Sequence, residues 1–155
     1  MIKLSKSLLG TDVVTQIGIL VYDIEKSKLD FAKFLGVDPP EVMVTGTLKE
    51  AQTEYKGKPS EARAKLAFFN VGANVTIELI EPDNDPNSTW RNDLEKNGEG
   101  FHHIAFVVKG MKECIATLEA NGMPLLQKGE YTGGRYAYHD ATDSLKMVFE
   151  LLEND

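Results

Sequence analysis

The sequence predicts an α+β fold in which two copies of one strand-helix-three-strand unit pair and enclose a cleft. The first observation behind this is order: strand, helix and three further strands recur, once before and once after a short connecting helix. The second is an internal match. Gln16-Ile17-Gly18-Ile19-Leu20-Val21 lies over His103-Ile104-Ala105-Phe106-Val107-Val108, and Val75-Thr76-Ile77-Glu78-Leu79-Ile80-Glu81 lies over Met147-Val148-Phe149-Glu150-Leu151-Leu152-Glu153. Gln16 therefore falls on His103, and Glu78 on Glu150. The third is size: 155 residues suffice for one domain with a substantial core. One helix on a few strands cannot close its own sheet, whereas two such units together can.

Residues 1–10 read as a loosely held leader to one domain over 11–153, with module one at 11–84, a linker helix at 86–98 and module two at 99–153. Val13, Val14, Ile17, Ile19, Leu20 and Val21 make a first strand. Asp23 offers a carboxylate to the free N–H groups that open a helix over 24–35, and Gly36 supplies its stop. Pro39-Pro40 breaks the chain, residues 42–48 read as a strand, and 55–61, with Gly57 and Pro59, as a polar loop. Strands over 64–70 and 75–80 flank Gly72-Ala73-Asn74, residues suited to hairpin dihedrals. Ser88 caps the linker helix, which runs through Asn97 to a stop at Gly98. Module two repeats the order, with the His103 strand, a helix over 110–121 ended by Gly122, and strands near 125–131, 135–139 and 146–152, the last two joined by a turn at 140–144.

A formal charge of -7 and a pI near 5.0 leave no clustered basic surface for a polyanion, which argues against nucleic acid. The single cysteine, Cys114, excludes an internal disulfide and suits a reducing compartment; Met111, Ile115 and Leu118 share its helix face, so it reads as core. With no long apolar run and no signal-peptide pattern, the expected location is the cytoplasm, away from any membrane.

The chemistry concentrates on Gly98-Glu99-Gly100-Phe101-His102-His103-Ile104-Ala105-Phe106-Val107-Val108. Strand alternation puts Phe101, His103, Ala105 and Val107 on one face and His102, Ile104, Phe106 and Val108 on the other, so only one histidine is expected to join a given site. The bulkier Ile104-Phe106-Val108 face should meet helices, which leaves His103 towards the cleft. Gln16, Glu78 and Glu150 each share a face with small or apolar neighbours. A carboxylate so placed is expensive unless it is paired, hydrogen-bonded or bound to a metal. Two carboxylates at matching positions with an imidazole and an amide oxygen make a donor set for a divalent ion such as zinc, nickel, cobalt or manganese. The plainer alternative leaves Glu78 and Glu150 on solvent-facing edge strands. Gly133-Gly134-Arg135 reads either as a loop folding over an acyl group, with Arg135 pairing its carboxylate, or as an ordinary glycine turn.

At these residues the chain resembles the vicinal oxygen chelate superfamily, whose two paired βαβββ modules form a curved mixed sheet around a metal-binding cleft. Within it, Ser88-Thr89-Trp90, the long histidine motif, Thr132-Gly133-Gly134-Arg135 and Phe149-Glu150-Leu151 look most like the methylmalonyl-CoA epimerases. The resemblance implies metal ligands at Gln16, Glu78, His103 and Glu150, catalytic carboxylates at Glu150 and Glu78, a small-molecule thioester substrate and a homodimer. Thr15-Gln16-Ile17-Gly18 departs from the epimerase pattern Asp-His-Ile-Gly, an amide standing where the family has an imidazole. A Gln, Glu, His, Glu set is similar to the zinc form of lactoylglutathione lyase, which acts on a glutathione adduct. Leu20 stands where that family carries an arginine. Both families move a proton α to a carbonyl. The superfamily's drug-sequestering proteins supply a non-catalytic alternative.

Overall fold

A computed structural model describes residues 6–155, so half of the expected leader lies outside the described residues. Within the described part Leu9 already packs on the core. Strand β1 (Gln16–Leu20) leads to helix α1 (Ile24–Leu35), where the Asp23 side chain accepts from the N–H of Lys26 and Gly36 closes the helix in the left-handed region. The expected strand at 42–48 shrinks to β2 (Met43–Val44), because Thr47 and Glu50 form a capping box that starts helix α2 (Leu48–Ala51). The expected polar loop is a hairpin of β3 (Glu54–Tyr55) and β4 (Lys58–Pro59). Its two turn residues, Lys56 and Gly57, both have positive φ, the geometry that matches strand twist across a two-residue turn. Strands β5 (Ala64–Asn70) and β6 (Thr76–Pro82) follow, then helix α3 (Thr89–Asn97) between Ser88 and Gly98.

The second half comprises β7 (Gly100–Val107), α4 (Met111–Ala120), β8 (Leu125–Tyr131), β9 (Gly134–Asp140) and β10 (Val148–Asn154). The turn expected at 140–144 contains a short helix, α5 (Thr142–Leu145). All strands join one mixed sheet in the order β2-β5-β6-β1-β7-β10-β9-β8-β3-β4. At its centre β1 and β7 run antiparallel, and each has its own module's last strand beside it in parallel: β6 beside β1, β10 beside β7. The expected two-fold pattern is thus present, with one addition. The β3-β4 hairpin of module one crosses over to lengthen module two through β8. The outer strands are two residues long, and β2 and β3 each pair with only two residues of their seven-residue neighbours, β5 and β8.

The sheet curves into a half-barrel with a layer on each side. On its convex face α1 packs Ile24 and Ala32 against Val21, Ala67, Phe69 and Leu79, while α4 packs Met111, Cys114 and Leu118 against Ala137, Phe149 and Leu151. A wholly buried residue such as Ile24 contributes about 1.5–3 kcal/mol here. On the concave face α3 lays Trp90 and Leu94 against Leu20, Ala64, Ile80, Tyr136 and Tyr138, residues from both halves. The cleft expected between the modules is therefore largely occupied by the linker helix.

Candidate metal and proton-transfer site

Beneath α3, the concave face gathers Gln16 from β1, Glu78 from β6, His103 from β7 and Glu150 from β10. All four are inside, at 7, 6, 0 and 4 % exposure. Their approach follows from register. Across the central pair Gln16 opposes Ala105 and His103 opposes Gly18, while Gly18 also lies beside Glu78 and Ala105 beside Glu150. His103 Nε2 stands 3.2 Å from Gln16 Oε1 and 3.0 Å from Glu150 Oε2. Its ring needs a glycine below it: a Cβ at residue 18 would come within 2.1 Å of His103 Cε1.

The expectation that one histidine alone joins the site is corrected by a break in register. The β1-β7 pairing runs Gly18 to His103 and then Ile19 to Phe101, so His102 is the extra residue of a β-bulge. Released from alternation, His102 turns inward beside its neighbour, with the two Nδ1 atoms 2.9 Å apart and its Nε2 2.9 Å from Asp93 Oδ2. The rest of the face assignment holds: Ile104, Phe106 and Val108 pack on the convex core.

Electrostatics mark the same spot. Burial pushes Glu150 up to about 8. Burial and the charge of Glu150 together push Glu78 well above the ordinary carboxylate range. Burial pulls His103 down to about 3, so its imidazole is neutral. Tyr138, which sequence reasoning passed over, stacks edge-on against His103 with ring centroids 5.0 Å apart and accepts a hydrogen bond from Trp90 Nε1 at 3.0 Å. Its place was legible only in the alternation of Tyr136, Tyr138 and Asp140 along β9. Asp93 carried no sequence signal at all, being one of two acids, with Glu95, on a largely polar helix.

Gly133 and Gly134 lie at the β8-β9 turn, and Arg135 does not reach this cluster. Alternation along β9 puts Arg135 on the face opposite Tyr136 and Tyr138, where it donates to Glu153 and Asp155 at 2.8 and 2.6 Å. Glu54 pairs with Lys128, Glu61 is exposed, and His139 is buried on the α4 side against Phe149.

Among the described residues no three His, Cys, Asp or Glu side chains form a ready cation cage. The converging donors are instead one imidazole, one carboxylate and the Gln16 amide, with Glu78 within electrostatic reach. They fit a divalent ion. Glu150 Oε2 is buried without a hydrogen-bond donor despite its 3.0 Å approach to His103, and the two separations from His103 Nε2, 3.2 and 3.0 Å, are those of ligands about 2 Å from a shared ion. A cavity of about 180 Å³, lined among others by Leu20, Asp93, Lys96, Phe101 and His102, lies on the α3 side behind His102, and none of the four donors lines it.

A family model for the glyoxalase/bleomycin resistance protein/dioxygenase superfamily matches residues 15–139, a span that contains Gln16, Glu78 and His103. The chain belongs to that superfamily. Superfamily members are often metal-dependent enzymes, in keeping with the donor set. An uncharacterized protein of Bacillus subtilis, YqjC, is 30 % identical over 140 residues, covering 88 % of this chain and 89 % of its own. Methylmalonyl-CoA epimerase from Mycobacterium tuberculosis matches with a TM-score of 0.60 at 21 % identity, over 99 % of this chain and 93 % of that one. The Streptomyces coelicolor epimerase in complex with 2-nitronate-propionyl-CoA matches with a TM-score of 0.61 at 22 % identity, over 91 % and 96 %. At such identity the two epimerases share the superfamily fold with this chain.

Proposed function

We propose that this protein is a metal-dependent isomerase that moves a proton on the carbon α to a carbonyl, with a methylmalonyl-type coenzyme A thioester as its first substrate class. The observation that carries this reading is the meeting of two buried carboxyls of raised proton affinity, Glu78 and Glu150, one from each half, around the neutral imidazole of His103. The coenzyme A complex of the structurally similar epimerase supports the substrate class. Gln16, Glu78, His103 and Glu150 would hold a divalent ion such as zinc, cobalt, nickel or manganese, which when bound polarises a chelated carbonyl and stabilises the negative charge left by proton removal.

The chain's own residues carry the rest. Glu150, with its proton affinity brought close to neutral pH, takes the α proton and can return it. Glu78 faces the same point from the other half and serves as partner for inversion. Trp90 and Leu94 on α3 keep water from the concave face. Lactoylglutathione lyase activity is the second reading, favoured by the Gln16 amide oxygen lying against His103. Leu20, buried under α3 where the lyases resemble an arginine position, weighs against it.

The homodimer expected from the resemblance and from the need to cover sheet edges is supported by the partly covered outer sides of β5 and β8; a monomeric mass in sedimentation would remove it. The activity is tested by solvent deuterium. Metal-dependent incorporation at the α carbon of methylmalonyl-CoA is expected, falling by roughly 10²–10⁴-fold in Glu150→Gln, whose amide cannot act as a carboxylate base. A native rate in metal-loaded Glu150→Gln would move the base to Glu78. No exchange with methylmalonyl-CoA or with the methylglyoxal-glutathione hemithioacetal, alongside tight binding of another small molecule, would favour a sequestering protein.

A further inference from the structure

The site described above ends at His103, yet the hydrogen bonds do not. Behind its ring runs a chain in which His103 Nδ1 meets His102 Nδ1 at 2.9 Å and His102 Nε2 meets Asp93 Oδ2 at 2.9 Å. Both imidazoles are inside, at 5 and 0 % exposure, whereas the Asp93 side chain is 26 % exposed and also accepts from Thr89 Oγ1 at 2.9 Å.

Only one hydrogen fits between two ring nitrogens 2.9 Å apart. Suppose His102 supplied it. Its Nε2 would then either face the Asp93 carboxylate bare, lone pair against negative charge, or carry a second hydrogen and make a buried imidazolium. If His103 supplies it, His102 keeps its hydrogen on Nε2 and donates to Asp93, both rings stay neutral, and every polar atom from His103 Nδ1 to the Asp93 carboxylate is matched, while His103 Nε2 keeps a bare lone pair. Burial of both rings favours this second arrangement, because it leaves neither imidazole charged. Burial works against the Asp93 charge too, yet the bonds from His102 and Thr89 hold its carboxyl below the ordinary range, as an acceptor requires.

We infer that Asp93 and His102 are positioning residues that hold His103 in the tautomer protonated at Nδ1, so that the Nε2 lone pair is presented to Gln16 and Glu150. This deepens the proposed function and rests on its metal reading for the purpose it serves. A ring nitrogen can ligate only through a bare lone pair, and ligating histidines are oriented by a partner on the other nitrogen. Here that partner is a second histidine, brought round by the β-bulge and anchored by a carboxylate on the linker helix. In the metal-free protein the assignment calls for the Gln16 amide turned so that its NH₂, rather than its Oε1, faces that lone pair and donates to it.

The test separates tautomer from metal. In ¹⁵N-labelled, metal-free protein, long-range proton-nitrogen correlation is expected to show His103 unprotonated at Nε2 and protonated at Nδ1. Asp93→Asn keeps the shape but lets an amide N–H donate to His102 Nε2, which reverses both rings and puts the hydrogen on His103 Nε2, the wrong-tautomer effect known for a buried carboxylate behind a catalytic histidine. Zinc affinity, measured by calorimetry, should fall about 10–100-fold with it. Thr89→Ala removes the other donor to Asp93 without offering a new one, and should leave the tautomer and the zinc affinity in place. A hydrogen on His103 Nε2 in the wild type overturns the inference, as does Asp93→Asn with unchanged rings and zinc affinity. So does a loss of zinc in Thr89→Ala as large as in Asp93→Asn without any change of tautomer. A wild type with bare Nε2 that takes up no zinc upholds the positioning chain and sinks the metal reading.

Discussion

The two halves of the sheet set their polar residues on the same face and in matching register, and they part company at one pair of neighbours. Across the central strands Gln16 of the first half opposes Ala105, while His103 of the second opposes Gly18. The flat ring of His103 lies so low over β1 that residue 18 has no room for a Cβ, whereas the slender amide of Gln16 leaves room for the Ala105 methyl. Each donor and the small residue opposite it are thus one unit. The difference teaches that duplication supplied the positions, while the second half alone added the β-bulge that brings His102 behind the imidazole.

The largest effect expected comes from the charge that the halves bring to one point. In metal-stripped protein Glu150, raised by burial to about 8, and Glu78, raised by burial and by Glu150, bind protons more tightly folded than unfolded. Their contribution to stability is complete below the unfolded value of 4.5 and is lost as pH rises through about 8. His103, lowered by burial to about 3, binds its proton less tightly when folded, so its contribution is complete above 6.5 and lost as pH falls towards 3. Because two carboxylates lose stability above 4.5 while one histidine gains it only up to 6.5, stability should peak near the unfolded carboxylate value of 4.5. It should be lower on the alkaline side, the two carboxyls contributing to that loss together. Urea unfolding in chelator measures this, and saturating zinc should shrink the alkaline loss by stabilising the carboxylates. Equal stability in chelator at about pH 6 and about pH 9 would show that the two acids are not held where the halves place them.

Breaking one unit at a time gives the next effect. Gly18→Ala drives a methyl into the His103 ring; such overpacking costs about 1–3 kcal/mol, and the displaced ring should lose zinc. Ala105→Gly removes a buried methyl from the other unit, a change of about 1 kcal/mol that should leave zinc binding intact. Zinc titration with thermal unfolding of the two variants decides it. Undiminished zinc affinity in Gly18→Ala would show that the ring has another place to go.

Much of this was legible in the sequence because it rests on local rules. Asp23 and Gly36 bound α1, Ser88 and Gly98 bound α3, and the internal match aligned Gln16 with His103 and Glu78 with Glu150 before any coordinates. What was hidden depends on register and on distance along the chain. A β-bulge has no residue signature of its own in His102-His103, so the alternation argument wrongly set His102 apart. Asp93 and Tyr138 join the site through contacts 9 and 48 residues apart, to His102 and Trp90 respectively. The hairpin at Glu54–Pro59 read as a loop because two residues per strand leave no periodicity to count. The open cleft, finally, was a reasonable inference from paired modules, but the apolar side of α3, with Trp90 and Leu94, finds its burial there.

The smallest effect expected asks whether the asymmetry runs both ways. Gln16→His would give the first half the imidazole that the second half has, at the position matching His103. Opposite that position, however, stands Ala105, whose methyl fills the space that Gly18 leaves open for His103. The new ring alone should therefore be forced off the donor cluster, and zinc should bind no more tightly than in the wild type. Combined with Ala105→Gly, the ring gains the same seat as its counterpart, and zinc should bind more tightly than in any of the other three proteins. Residues in contact show couplings of about 0.5–3 kcal/mol, so a double-mutant cycle of zinc titrations resolves the effect. If the two changes are additive, positions 16 and 105 do not share space as positions 103 and 18 do. The match between the halves would then extend to their backbones but not to the side chains that meet at the site.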